Sequence, residues 1–236
     1  MDQNSAAGMS IQITLNGPYI VKGSVPLKVA IIEQGPGNKI LTTVKEFPLQ
    51  ETYALCRSGK SATPPFCDGS HVAAGFEGTE VASRAAYVER TKVIDGDELF
   101  LFDDHRCALA RFCHRSEGDA WSLTQDAGID KHLQEEAIAA SSECPSGRLV
   151  HMRKDDETVL EPLLKPQITV LEDPEKGVSG ALFVQGGIVL KSADSSEYEL
   201  RNRYTLCRCG SSDDKPFCDA THVYERFKDH LDTSAG

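Results

Sequence analysis

Four residues near the C-terminus have types and spacing suited to holding metal. Cys207, Cys209, Cys218 and His222 follow the order C-x-C-x8-C-x3-H. Thiolate and imidazole donors suit zinc or iron–sulfur chemistry better than they suit hard cations. Cys207 and Cys209, two apart in extended backbone, project to the same side. Cys218 and His222, four apart, share one face if that stretch is helical. Pro216 sets the chain before this helix, and Asp219 is the expected cap of its first turn. The four side chains can therefore converge on one metal centre, and a structural Cys3His zinc site is chemically acceptable.

The same constellation occurs earlier in the chain. Cys56, Cys67 and His71 align with Cys207, Cys218 and His222, and Val72 and Phe76 align with Val223 and Phe227, always at an interval of 151 residues. The repeat reaches upstream, where residues 17–23 are similar to residues 180–186. One ligand position differs: Ser58 stands where the second copy has Cys209. A serine hydroxyl is far harder to deprotonate than a thiol, and its hard oxygen suits iron–sulfur chemistry less well. Two readings follow. The first site holds a weaker cluster through Cys56, Ser58, Cys67 and His71, or it is an empty copy kept because its strands complete the fold.

The other three cysteines lie between the copies. Cys107 and Cys113 have the spacing C-x5-C, and Cys144 opens Cys144-Pro145-Ser146-Gly147. Ala110 occupies the third position after Cys107. These elements are similar to those of single-cluster bacterial ferredoxins, and that resemblance implies a cluster: three thiolates suffice for [3Fe–4S], and [4Fe–4S] needs a fourth bond from His105, His114 or Asp104. Pro145 lacks an N–H and ends the helix that carries Cys144. Gly147 allows a tight turn beside the cluster. The bland alternative is three buried structural thiols.

The second copy resembles the CDGSH, or NEET, iron–sulfur family, whose pattern is C-x-C-x2-[ST]-x3-P-x-C-D-G-[SAT]-H, with Ser212 and Pro216 in place. The resemblance implies a [2Fe–2S] cluster with Cys207 and Cys209 on the inner iron and Cys218 and His222 on the outer one. Ala220 departs from the pattern, which has glycine there; if the position needs positive φ, alanine is strained. The middle segment resembles single-cluster bacterial ferredoxins. Together the two resemblances cover nearly the whole chain and imply redox chemistry, because cluster iron changes oxidation state while the protein tunes its potential.

These sites need elements to position them. Short β-rich runs at residues 11–15, 27–32, 168–171 and 188–190 read as strands. Residues 129–140 read as a helix with Ile129, Leu133, Ala137 and Ala140 on one face and Asp130 as N-cap. Pro162 and Pro166 mark an exit linker. The expected fold is α+β: an intramolecular pseudo-dimeric β-sandwich of two CDGSH halves, residues 9–90 and 160–236. A small ferredoxin-like α+β segment, residues 91–153, is inserted between them.

Composition fits this. The 236 residues carry a net charge of −11, with 40% apolar and 26% charged residues, ordinary for a folded protein. The acidic balance argues against nucleic acid and suits a basic redox partner. No apolar run approaches the ~20 residues of a membrane helix; residues 181–190 are broken by Gln185, Gly186 and Gly187. No secretory signal is visible in residues 1–8, which favours the cytoplasm, where thiols stay reduced. His105, His114, His132, His151 and His230 form no acid–base pattern, and Asp155-Asp156-Glu157 and Asp213-Asp214 read as solvated charge.

The expectation is a non-enzymatic electron-transfer protein, a monomer with internal pseudo-symmetry and a redox partner. The alternatives are a cluster donor to an apo acceptor, or redox sensor, with a labile first site, and a zinc-stabilised interaction module.

Overall fold

The computed structural model describes residues 6–128 and 130–231. It is mixed α+β, dominated by sheet, with short helices. The expected strands are present with slightly different ends: Ser10–Ile13, Leu27–Gln34, Gln167–Asp173 and Val189–Lys191. Their burial alternates where one face meets the core, as in Ile11 and Ile13 or Val29 against Lys28, the pattern a half-buried strand requires.

The two copies exchange strands. Strand Val189–Lys191 of the second copy leaves its neighbours and pairs in parallel with Ser10–Ile13 of the first. Reciprocally, strand Leu27–Gln34 of the first copy pairs in parallel with Gln167–Asp173 of the second. The first sheet thus runs Val189–Lys191, Ser10–Ile13, Tyr19–Lys22, Thr52–Leu55, and the second runs Arg203–Leu206, Val178–Gln185, Gln167–Asp173, Leu27–Gln34, Lys39–Glu46.

One apolar core takes residues from both sheets, among them Ile11, Tyr19, Val29, Leu55, Ile168, Leu182, Val184 and Leu206. Full burial of each such side chain stabilises by about 1.5–3 kcal/mol. Neither copy could bury these residues alone, because each sheet contains strands of both. Gly186, at φ 81°, makes the turn that sends the second copy's strand across. A Cβ there would meet the Pro166 nitrogen at 2.3 Å, so the turn needs glycine for both conformation and space.

The middle segment builds its own sheet in the order Val159–Leu160, Leu149–Arg153, Leu99–Asp103, Lys92–Asp95. Its edge strand Val159–Leu160 lies beyond residue 153, the end expected for this segment. Helices Ala120–Asp126 and Lys131–Ser142 pack on it. Asp130 caps the second helix by accepting from the His132 and Leu133 N–H groups, and Ala137 and Ala140 are fully buried. Ile129, placed on that helical face by its spacing, lies outside the described residues. The helix ends at Ser142 with Glu143 as C-cap, so Cys144 sits just past the helix and not within it.

No helix among the described residues is long and apolar enough to cross a membrane.

Candidate metal centres

At the second motif, strand Arg203–Leu206 delivers the chain to Cys207. The Cys207 and Cys209 sulfurs are 3.6 Å apart. Two thiolates bound at 2.3 Å to a tetrahedral metal are about 3.8 Å apart, so this spacing fits a shared metal. The Cys218 sulfur lies 3.4 Å from His222 Nδ1, the separation that one tetrahedral ion also imposes on a sulfur and a nitrogen ligand, about 3.5 Å. All four residues are buried. Among the described residues no three His, Cys, Asp or Glu side chains gather closely enough for a single ion; the donors come in pairs.

The route to this geometry differs from the simple helix expected. Helix Thr221–Tyr224 begins only after Ala220, which adopts φ 73°. This left-handed residue breaks the helix between Cys218 and His222, and the turn rather than an i, i+4 face brings them together. Asp219 accordingly acts one residue before the cap position. It accepts from the Thr221 N–H at 3.0 Å and from the Asp213 N–H at 2.7 Å, tying the two ligand loops together. Gly69 makes the same turn in the first copy at φ 88°. The Ala220 position does require positive φ, and alanine pays for it.

The first motif reproduces the pairs. Cys56 sulfur and Ser58 oxygen are 3.6 Å apart, and Cys67 sulfur and His71 Nδ1 are 3.4 Å apart. Cys56 and Ser58 are buried, whereas Cys67 and His71 are only half-buried. The two motifs touch: a Cβ on Gly59 would meet the Cys209 carbonyl at 2.5 Å, and one on Gly210 would meet the Ser58 carbonyl at 2.6 Å.

Several residues that hold these loops were not evident as such in the sequence. The arginine between the first two ligand positions points away from them into the interior. Arg57 donates to the carbonyls of Gly17, Gly78 and Thr14. Arg208 donates to Gly180 and Leu171 and pairs with Glu172 and Asp229. The signal available was their recurrence in both copies. Phe66 and Phe217, each beside a ligand cysteine, are gripped edge-on by Phe47 and Tyr53, and by Tyr198 and Tyr204. Tyr19 crosses between copies to donate to the Cys207 and Pro216 carbonyls at 2.9 and 3.1 Å. Leu182 stands at its place in the second copy, so the first motif has no counterpart of this bond.

In the middle segment Cys113 packs in a cluster with buried Cys144. Burial, followed by the neighbouring Cys144 and Cys107, pushes the Cys113 thiol up to about 12. Burial likewise raises Cys144. Cys113 and Cys144 thus pack together, and metal must displace the protons of these thiols. The loop from Cys107 to Cys113 is tightly wound, with Leu109 and Arg111 at φ 50° and 67°. Ala110 is buried beside Ile32 and Phe112. The three side chains considered for a fourth bond have other partners. Asp104 pairs with Arg90 at 2.8 Å, His105 lies at Asp104 and Asp214, and exposed His114 faces Trp121.

Electrostatics separate the remaining groups. Burial holds His222 down at about 4, with Arg208 adding to it, so the imidazole is the neutral form a ligand needs. The hydrogen bond between their sulfurs lowers Cys207 and raises Cys209. His151 is a core histidine, each ring nitrogen 2.7 Å from a hydroxyl, of Thr124 and Ser141. Asp214 is not solvated charge, since it is drawn into an ion pair with Arg106 at 3.0 Å; Asp213 is exposed.

Comparison with known families agrees with this arrangement. A family described as iron-binding zinc finger, CDGSH type, matches residues 16–72 and 179–223. A second, described as a divergent 4Fe-4S mono-cluster, matches residues 94–154. No curated relative and no solved structure matches the chain. The chain therefore carries two CDGSH-type iron-binding domains with a divergent mono-cluster domain between them, and is an iron–sulfur cluster-binding protein.

Proposed function

We propose that this chain moves electrons between iron–sulfur centres rather than transforming a substrate. In this reading Cys207 and Cys209 hold one iron of a [2Fe–2S] cluster, and Cys218 and His222, through Nδ1, hold the other. Cys56, Ser58, Cys67 and His71 form a weaker equivalent. Cys107, Cys113 and Cys144 hold a [3Fe–4S] or [4Fe–4S] cluster. The clusters supply one-electron redox chemistry, and the chain's own residues set their order and environment. The strand exchange and the core common to both sheets support an internal pseudo-dimeric sandwich as the scaffold.

The observation that supports the reading most is the pairing of donors. Separations of 3.6 and 3.4 Å within the pairs, with no three such donors gathered for a single ion among the described residues, suit two irons with two ligands each, where a mononuclear zinc site would gather all four donors on one point. The test is reversible reduction of anaerobically purified protein, with iron and acid-labile sulfide counted before and after. Retention of both through several redox cycles is expected; loss of clusters on each cycle would exclude a carrier role.

A second reading, delivery of a cluster to an apo acceptor or redox sensing, draws on the first motif. There Ser58 replaces a thiolate, and Cys67 and His71 are half-exposed, the features of a site that gives up its metal. Appearance of a cluster on an added apo-ferredoxin, with matching loss from this chain, would favour it.

A further inference from the structure

The middle segment does not hang from the sandwich; its ligand loops are built onto those of the second motif. Ala108, the residue after Cys107, packs with Ala181 against Cys218. The Ala108 N–H donates to Ser146 Oγ at 3.1 Å, and Ser146 belongs to the loop that carries Cys144. Thr205 Oγ1 donates to the same Ser146 oxygen at 3.0 Å. The Thr205 carbonyl then accepts from the Cys218 N–H at 3.0 Å. A continuous line of covalent and hydrogen bonds thus runs from Cys107 through Ala108, Ser146 and Thr205 to Cys218.

The surrounding contacts hold this line rigid. Buried Arg203 donates to the carbonyls of Cys144 and Ser141 at 2.8 and 2.9 Å. A Cβ on Gly147 would meet the Arg203 carbonyl at 2.3 Å, so the Cys144 loop lies directly on the strand that leads to Cys207. Arg106, preceding Cys107, pairs with Asp214 and stacks 3.8 Å from the centre of the Phe217 ring. These residues satisfy polar groups that a docking surface would otherwise bury unpaired. The first motif meets the second on a separate flank, where Ser58 faces Gly210.

From this juxtaposition we infer that the second motif is the electron partner of the middle site, and that Ala108, Ser146 and Thr205 form the bridge between them. The inference rests on the electron-transfer reading above. One electron crosses the bridge: the site that gives it is oxidised by one electron, the other is reduced by one, and no bond forms or breaks. A one-electron donor protein supplies the electron from outside, and dithionite replaces it in the test.

The test uses the full chain, loaded anaerobically, with iron counted first. Absence of iron defeats the functional reading itself and is distinguished at that step. In Cys56→Ala protein, where only the second motif contributes a [2Fe–2S] signal, the fully reduced state is followed by EPR power saturation. Removing the middle site with Cys113→Ala is expected to make that signal saturate at lower power, because a fast-relaxing neighbour has gone. Unchanged saturation, with middle-site iron present in the parent, overturns the inference. Independently, intramolecular equilibration after flash photoreduction is expected to slow severalfold in Thr205→Val and to recover in Thr205→Ser, with both reduction potentials unchanged. Equal rates in all three overturn the bridge.

Discussion

The Ser58 hydroxyl lies 3.6 Å from the Cys56 thiol, the separation that also joins Cys209 to Cys207. The first motif thus keeps the geometry of the second and changes one donor atom. An alkoxide forms at neutral pH only if metal drives deprotonation, which weakens binding. The first site is expected to lose its visible absorbance before the second in air or chelator. Ser58→Cys should equalise the two decay phases, and Cys209→Ser should make the second site the labile one. Unchanged iron content and decay in Ser58→Cys would leave the first copy a structural half.

His222 presents Nδ1 to Cys218 from a buried position. Substituting cysteine replaces a neutral ligand by a thiolate, adds negative charge at one iron and favours the oxidised state. His222→Cys should lower the potential of the second site in voltammetry and leave that of the middle site in place. No shift would show that His222 is not a ligand.

Ala220 sits at φ 73°, where Gly69 serves in the first copy. Left-handed backbone costs a non-glycine residue about 1–2 kcal/mol, offset in part by the entropy glycine loses on folding. Ala220→Gly is expected to stabilise the loaded protein by up to about 1 kcal/mol in denaturant titration. A destabilised variant would mean that the alanine methyl, nearly fully buried, contributes more through packing than its backbone costs.

His151 is buried between Thr124 and Ser141, and burial lowers it from 6.5 to about 4. Between those values the unfolded chain binds a proton that the folded one refuses. Stability is full above about pH 6.5 and falls as pH drops toward 4, by about 3 kcal/mol in all. His151→Gln should be less stable at pH 7.5 yet lose less between pH 7.5 and 5.5 than the parent. The same loss in both would remove His151 as the cause.

The repeat made the candidate metal-binding residues legible, because cysteines and histidine that are to meet one centre must recur at fixed spacing. Strands were legible through alternation, and the middle helix through its periodic face and the Asp130 cap. Three features were not. The strand exchange joins Ser10–Ile13 to Val189–Lys191 across the whole chain, a pairing that no local pattern encodes. The break at Ala220 replaced the helical face expected for Cys218 and His222: glycine at this place in the family pattern and at Gly69 hinted at positive φ, but the i, i+4 spacing of the two donors reads equally as a helix. The docking of the Cys107 and Cys144 loops on Arg203, Thr205 and Asp214 was hidden because buried arginine and threonine look like surface residues until their partners are known.

The central claim, that the chain holds two kinds of iron–sulfur centre, is tested most directly by EPR of anaerobically purified protein in both oxidation states, with metal and sulfide counted on the same sample. The expected result is a brown protein. Dithionite reduction should give a [2Fe–2S]-type signal that survives in Cys144→Ala and is lost when Cys209→Ala is combined with Cys56→Ala. A second signal, of [3Fe–4S] or [4Fe–4S] type, should disappear in Cys144→Ala. A colourless protein that contains zinc and no sulfide would contradict the account.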